Sequence, residues 1–269
     1  MSLAKVNLSV FALVAIISYF LFGPVIALSA GAAAVALVLI WNMVSTGIVL
    51  SALQAKRLTD ASATNIIYRL FLSDAQKLKE VCNLHKTEFY LIDTHVPLAF
   101  SLGSSFSSHQ VIVTTGIFKV LTRYEISAVI GHEIGHIKAG DSALNAMRLA
   151  SSLVLSKVGL RPVLRTFRKI MPGQSLIAKV MLKPECRADA FSAKLCEDPK
   201  FLASALRKLE RGVRAVQWST LDKLPFLAAV SVVDPFAAQE SHDRPEQSKT
   251  AYRLAELYRL KQPDQAKAA

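Results

Sequence analysis

From Val6 to Ala55 the chain carries no Asp, Glu, Lys, Arg or His. One bilayer-spanning helix needs about 20 apolar residues, so this uncharged run is long enough for two. Gly23-Pro24 marks the break, because proline cannot continue a helix but opens one readily. The pattern predicts transmembrane helices over about 6–22 and about 27–50. Gly31, Gly47 and many alanines would let the second pack closely on a neighbour. A cleaved signal peptide fits less well. The apolar run continues past any cleavage point, only Lys5 forms a charged N-terminal region, and no cysteine follows for lipid attachment.

Beyond Lys56 the periodicity becomes that of a globular domain. Leu58–Leu84 reads as a helix, with Leu70, Leu78 and Val81 among its apolar positions. Phe89–Ile92 and Leu98–Phe100 read as short strands, before a Ser-rich turn over Ser101–Ser108 that could gate a cleft. Gln110–Thr115 is a β-branched run ended by Gly116, which reads as another strand. Thr122-Arg123-Tyr124-Glu125 fits a capping box. A helix is therefore predicted over about 123–139, with Ile126, Val129, Ile130, Ile134 and Ile137 as its stripe and Gly140 as its stop. Amphipathic helices follow at Phe201–Val216 and Ala251–Leu260. The fold class is mainly α with one small β-sheet, preceded by a two-helix transmembrane hairpin. Residues 1–57 form the membrane anchor, 58–260 one domain long enough for a proper core, and 261–269 a flexible tail.

Two further apolar stretches interrupt that scheme. Ala143–Leu160 contains Arg148 and Lys157, and each charge at the centre of a span costs about 2.5–3.5 kcal/mol to insert. It reads as an amphipathic helix on the membrane surface rather than a third span. Leu224–Ala238 is broken by Asp234 and Pro235 and reads as a cleft lining or membrane contact, or simply core.

The net charge is +12, which fits either nucleic acid or anionic lipid. No nucleic-acid module is visible, so the predicted partner is an anionic bilayer and not nucleic acid. Arg161, Arg165, Arg168 and Lys169 form the densest basic cluster. Lys5 precedes the first span and Lys56, Arg57 and Arg69 follow the second, which places both termini on the cytoplasmic side. Cys82, Cys186 and Cys196 form no C-x-x-C pair and agree with a reducing compartment.

Chemistry concentrates in the helix predicted at 123–139. His132-Glu133-Ile134-Gly135-His136 reads H-E-x-x-H. Residues i and i+4 share a helix face, so both imidazoles reach one ion. Glu133 is rotated by roughly 100° and suits a general base for a water beside that ion. Catalytic zinc usually takes three protein ligands. Downstream, Glu185 and Asp189 are again i and i+4. One carboxylate could bind the metal and the other could orient a ligating imidazole. Strand, turn and metal helix in that order are the layout of a zincin. The strand before the turn, with Val111 and Val113, could pair with an extended substrate. His85, His95 and His109 have no partner at ligand spacing, and Cys186 points away from Glu185.

Val113-Thr114-Thr115-Gly116, then H-E-I-G-H-I-K-A-G-D from His132, then E-C-R-A-D from Glu185, resembles the HtpX-type membrane zinc endopeptidases. The similarity runs over roughly residues 60–260 and extends to the wider family that includes the CaaX prenyl-protein protease. It implies one zinc ion held by His132, His136 and Glu185, with Glu133 as the general base. Asp189 supports a ligand, and Asp141 acts as a structural cap. His242 and Arg253 are the nearest counterparts of a further family motif, altered here, and the resemblance implies that they hold substrate or the developing oxyanion.

The expectation is a membrane-anchored zinc endopeptidase, with its site on the cytoplasmic face and misfolded or membrane polypeptides as substrates. Two alternatives stay open from sequence: a specific processing protease for a membrane peptide, and a catalytically silent membrane scaffold.

Overall fold

The computed structural model describes residues 3–63, 65–104, 108–159, 176–216, 232–233 and 249–260. His242, the basic cluster at 161–169, most of Leu224–Ala238 and the tail at 261–269 lie outside them.

Helices α1 (Leu3–Phe22) and α2 (Pro24–Ala52) are separated by Gly23 alone. Gly23 takes φ +86, a left-handed value that strains any residue with a Cβ, and Pro24 starts α2. The two helices pack at Gly31, where an added Cβ would lie 2.9 Å from the Phe11 ring. Their outer faces remain apolar and exposed, as at Phe20 and Val25. α2 has 29 residues and an 18-residue stretch with a mean hydropathy of 2.2, long and apolar enough to cross a bilayer. The apolar stretch Asn7–Phe22 of α1 is shorter.

The C-terminal part of α2 is different: Asn42, Ser45, Thr46 and Val49 are buried. Trp41 Nε1 donates to Ser151 Oγ at 3.2 Å, and Thr46 Oγ1 donates to the Gly103 carbonyl at 3.2 Å. Ser104 Oγ donates to Asn42 Oδ1 at 3.3 Å. Buried polar groups of this kind need such partners, and here they bind α2 to the rest of the chain.

The sheet has four strands in the order β1-β2-β4-β3. β1 is Lys56–Arg57, β2 Thr87–Ile92, β3 Ala99–Gly103 and β4 His109–Thr114. β2 and β4 run parallel, while β1 pairs with β2 and β3 with β4 antiparallel. The helix expected at Leu58–Leu84 is shorter. Lys56–Arg57 extend along β2, Leu58 N–H continues that pairing onto the Phe89 carbonyl at 2.8 Å, and α3 spans Ile66–Val81. Asn65 caps it, its Oδ1 accepting from Ile67 N–H at 2.9 Å. The expected Ser-rich turn also shrinks, because Ser101, Leu102 and Gly103 belong to β3.

A short α4 (Ile117–Val120) leads into α5 (Arg123–Lys138), whose start and end match the sequence signals. Glu125 closes the first turn, its Oε2 accepting from Thr122 N–H at 2.7 Å. The same carboxylate accepts from Ser204 Oγ at 2.6 Å and Lys208 Nζ at 2.9 Å, both on α8 (Pro199–Arg214). α5 is not the one-sided helix its stripe predicts. Every residue from Ala128 to Ile137 is buried, because elements pack on all of its sides. Glycines allow the closest approach, that of α7 (Leu176–Leu195). A Cβ on Gly135 would lie 3.0 Å from Ala188 Cα, and one on Gly131 3.1 Å from Ser192 Oγ.

Gly140, at φ +75, reverses the chain into α6 (Asp141–Lys157). Here the expectation of a helix lying on the membrane surface needs correction. Ala146, Leu149 and Ala150 are fully buried, and Ser151 is bonded to Trp41 of α2. The apolar face of α6 is used inside the protein, with Val154, Leu155 and Val158 left exposed near its end. α9 (Lys249–Leu260) completes the described elements.

Two stability measurements follow. Burial opposes ionisation of Glu125, but hydrogen bonds from Lys208, Ser204 and Thr122 outweigh it and hold the carboxyl below its usual range. That contribution is present above the ordinary carboxylate range and is lost as pH falls through the lowered value. Glu125→Gln should therefore destabilise by about 1.5–3 kcal/mol at pH 7. Denaturation midpoints of variant and wild type should converge on acidification below about pH 4. Gly135→Ala should cost about 1–3 kcal/mol, the usual penalty for overpacking, read in the same assay.

Candidate metal centre

α5 presents His132 and His136 on one face, and α7 brings Glu185 against them. The ligating atoms of these three residues all lie within 4.8 Å of one another. The two Nε2 atoms are 3.1 Å apart. Two nitrogens on one tetrahedral zinc, each about 2.0–2.1 Å from it, would stand roughly 3.3 Å apart. Glu185 Oε2 is 3.5 Å from His132 Nε2 and Oε1 is 3.4 Å from His136 Nε2. Two imidazoles and a carboxylate make a donor set suited to a divalent transition metal.

Each imidazole is held from behind by a different carboxylate. Asp189 Oδ1 lies 2.8 Å from His132 Nδ1, and Asp141 Oδ2 lies 3.2 Å from His136 Nδ1. A neutral ring so placed carries its proton on Nδ1 and turns its Nε2 lone pair towards Glu185 and the other ring. Asp141 therefore does more than begin a helix. It orients the His136 ring and is itself held by Arg187 at 2.8 Å. Its five-residue offset from His136 is not a helix-face spacing, so periodicity gave no sign of the contact.

The electrostatics are those of an ion-binding pocket. Burial opposes protonation of His136, yet hydrogen bonds to Asp141 and Glu185 prevail and push its pKa up to about 10. Burial likewise opposes the charge on Glu185, but Arg253 and the two imidazoles hold its carboxyl well below the ordinary range. Glu133 is buried beside this cluster, and its Oε2 has no hydrogen-bond partner among the described residues. An unpaired buried carboxylate oxygen is costly.

Arg253 of α9 completes the group. It is buried and donates to Asp189 through Nε at 2.7 Å and Nη2 at 2.6 Å. Nη1 lies 3.2 Å from Glu185 Oε2 and also donates to the Val232 carbonyl. Two of its three nitrogens are thus committed to Asp189. Val111 and Val113 are not where an extended peptide could pair. Their strand, β4, is interior, flanked by β2 and β3. The edge strand beside α5 is β3, an order that local sequence cannot reveal. His242 lies outside the described residues.

Residues 69–249 match the sequence model of Peptidase family M48. A protease HtpX homolog of Thermodesulfovibrio yellowstonii is 29% identical over 220 residues, which cover 71% of this chain and 73% of that protein. A protease HtpX homolog of Burkholderia mallei is 28% identical over 217 residues, 72% of each. The crystal structure of S. mikatae Ste24p aligns over 94% of this chain and 62% of its own, with 18% identity and a TM-score of 0.48. This chain thus spans less than two thirds of that structure, and a likeness so distant carries no further weight. The family match takes in more than half of the chain and every residue of the cluster except Arg253. The chain therefore belongs to peptidase family M48 and is a membrane metalloprotease.

Proposed function

We propose that the chain is a zinc-dependent endopeptidase, with His132, His136 and Glu185 as ligands of one ion and Glu133 as the general base. The observation that carries this reading is the convergence of three ligating atoms within 4.8 Å beside a buried carboxylate oxygen that has no partner among the described residues. Bound zinc supplies Lewis acidity at the scissile carbonyl and acidifies water towards a pKa of about 7. Glu133 takes the proton of the attacking water and passes it to the leaving amine. Asp189 and Asp141 keep both ligand rings in register, and Arg253 fixes Asp189. The Glu185 side chain is 30% exposed, so the cluster is accessible at Glu185.

Residues 1–57 serve as the membrane anchor, with α1 and α2 as spans, and residues 58–260 as the protease domain. Lys5, Lys56, Arg57 and Arg69 flank the apolar helices, which supports a cytoplasmic site, cytoplasmic termini and an anionic lipid surface nearby. Relatives named as proteases support polypeptides as substrates, and the sequence resemblance to HtpX-type endopeptidases points to membrane or misfolded ones.

Purified protein should carry one zinc per chain and cleave unfolded casein. Glu133→Gln should lower kcat about 10²–10⁴-fold with its zinc intact, whereas Glu185→Ala should lose the metal. Equal cleavage by Glu133→Gln and wild type would sink the mechanism. Zinc must also displace protons from the site. With the His136 pKa raised to about 10, the ring is protonated in the metal-free protein at neutral pH. Apparent zinc affinity should then rise between about pH 6 and 8, about tenfold per unit for each proton displaced. Competition titrations against a chelator would measure this, and a flat profile would contradict it.

A further inference from the structure

β3 is the strand whose outer edge an extended polypeptide could join. Thr114 N–H donates to the Leu98 carbonyl at 3.1 Å, which fixes the phase of the β3–β4 ladder. Alternate residues of an antiparallel strand turn their backbone groups to opposite sides. Phe100 and Leu102 therefore face β4, while Ala99, Ser101 and Gly103 direct their N–H and C=O groups outwards.

Part of that outer edge is already taken by the chain itself. Thr46 Oγ1 of α2 holds the Gly103 carbonyl at one end. At the other end, Val232 N–H donates to the Ala99 carbonyl at 3.1 Å. The Val232 carbonyl accepts from Arg253 Nη1, and that same guanidinium holds Asp189 and lies 3.2 Å from Glu185. Val232 and Val233 are only 3% and 5% exposed. One residue thus places its amide on the edge strand and its carbonyl on the cation that touches Asp189 and Glu185. Those are the two backbone interactions that a polypeptide laid along β3 towards the metal ligands would seek.

We propose that Val232–Val233 is an autoinhibitory strap. It occupies the substrate edge as a stand-in for substrate backbone, and an extended polypeptide must displace it to pair with β3. This rests on the endopeptidase reading. The exchange is balanced in hydrogen bonds: an incoming peptide offers the Ala99 carbonyl another N–H and Arg253 another carbonyl. Burial of two valine side chains biases the balance towards the closed state. A chain long and apolar enough to bury equivalent side chains opens the site, and a short polar peptide does not. The strap therefore makes the enzyme selective for unfolded, apolar segments.

The test uses the full-length, zinc-loaded protein in detergent with a fluorogenic peptide. Val232→Pro removes the amide that bonds Ala99. It should raise kcat/KM about three- to tenfold, the size expected for loss of one hydrogen bond, with zinc content unchanged. Unchanged or lower activity in a folded, zinc-loaded Val232→Pro protein would overturn the strap. Hydrogen exchange in the wild type decides independently, including where the variant fails to fold. Adding an extended, valine- and leucine-rich peptide hydroxamate should speed exchange of the segment holding Val232 and Val233, and unchanged or increased protection there overturns the proposal. If the hydroxamate releases the strap while neither protein shows Glu133-dependent cleavage, the strap stands and the endopeptidase reading fails.

Discussion

The site depends on compensating buried charge. Asp189 is almost fully buried, and Glu185 is drawn into the same cluster of imidazoles. An uncompensated carboxylate in such a place costs several kcal/mol. Arg253 removes that cost by donating to Asp189 with two nitrogens while standing against Glu185. The cation comes from α9, far along the chain from α5 and α7. The cluster is thus organised by three helices rather than by α5 alone. Because Arg253 is itself buried, it in turn requires both carboxylates, and the group is stable only when complete.

Close packing makes this charge network geometrically possible. α5 is buried on all sides, and Gly131 and Gly135 let α7 come near enough for Glu185 and Asp189 to reach the histidines. Glu125 plays the matching role at the start of α5, where one carboxylate caps the helix and ties it to α8. The membrane helix is part of the same construction. α2 is bonded through Thr46 and Trp41 to the end of β3 and to α6. The second apolar helix and the outer edge of β3 thereby share a hydrogen bond.

Much of this was legible in the sequence wherever the governing interaction is local. The capping box, the Gly140 stop and the i, i+4 histidines are all properties of one helix, and each was found at its expected position. The uncharged run from Val6 to Ala55 likewise announced two apolar helices. Three features were not legible. The fate of Val111 and Val113 depended on strand order, which is set by pairings between distant segments. Asp141 meets His136 across a reversal of the chain, outside any helical period. Arg253 carried no local sign of which carboxylates it would join.

By itself, then, the sequence determined where the chain turns apolar, which helix carries the histidines, and which carboxylate pair could complete a metal site. Those properties follow from composition and from the fixed rise and twist of a helix. Tertiary structure alone decided which strand lies at the edge, which carboxylate stands behind each imidazole, and that Val232 lies on the edge strand. These depend on packing between segments up to a hundred residues or more apart, where the stabilisation comes from burying complementary surfaces rather than from any neighbouring residue.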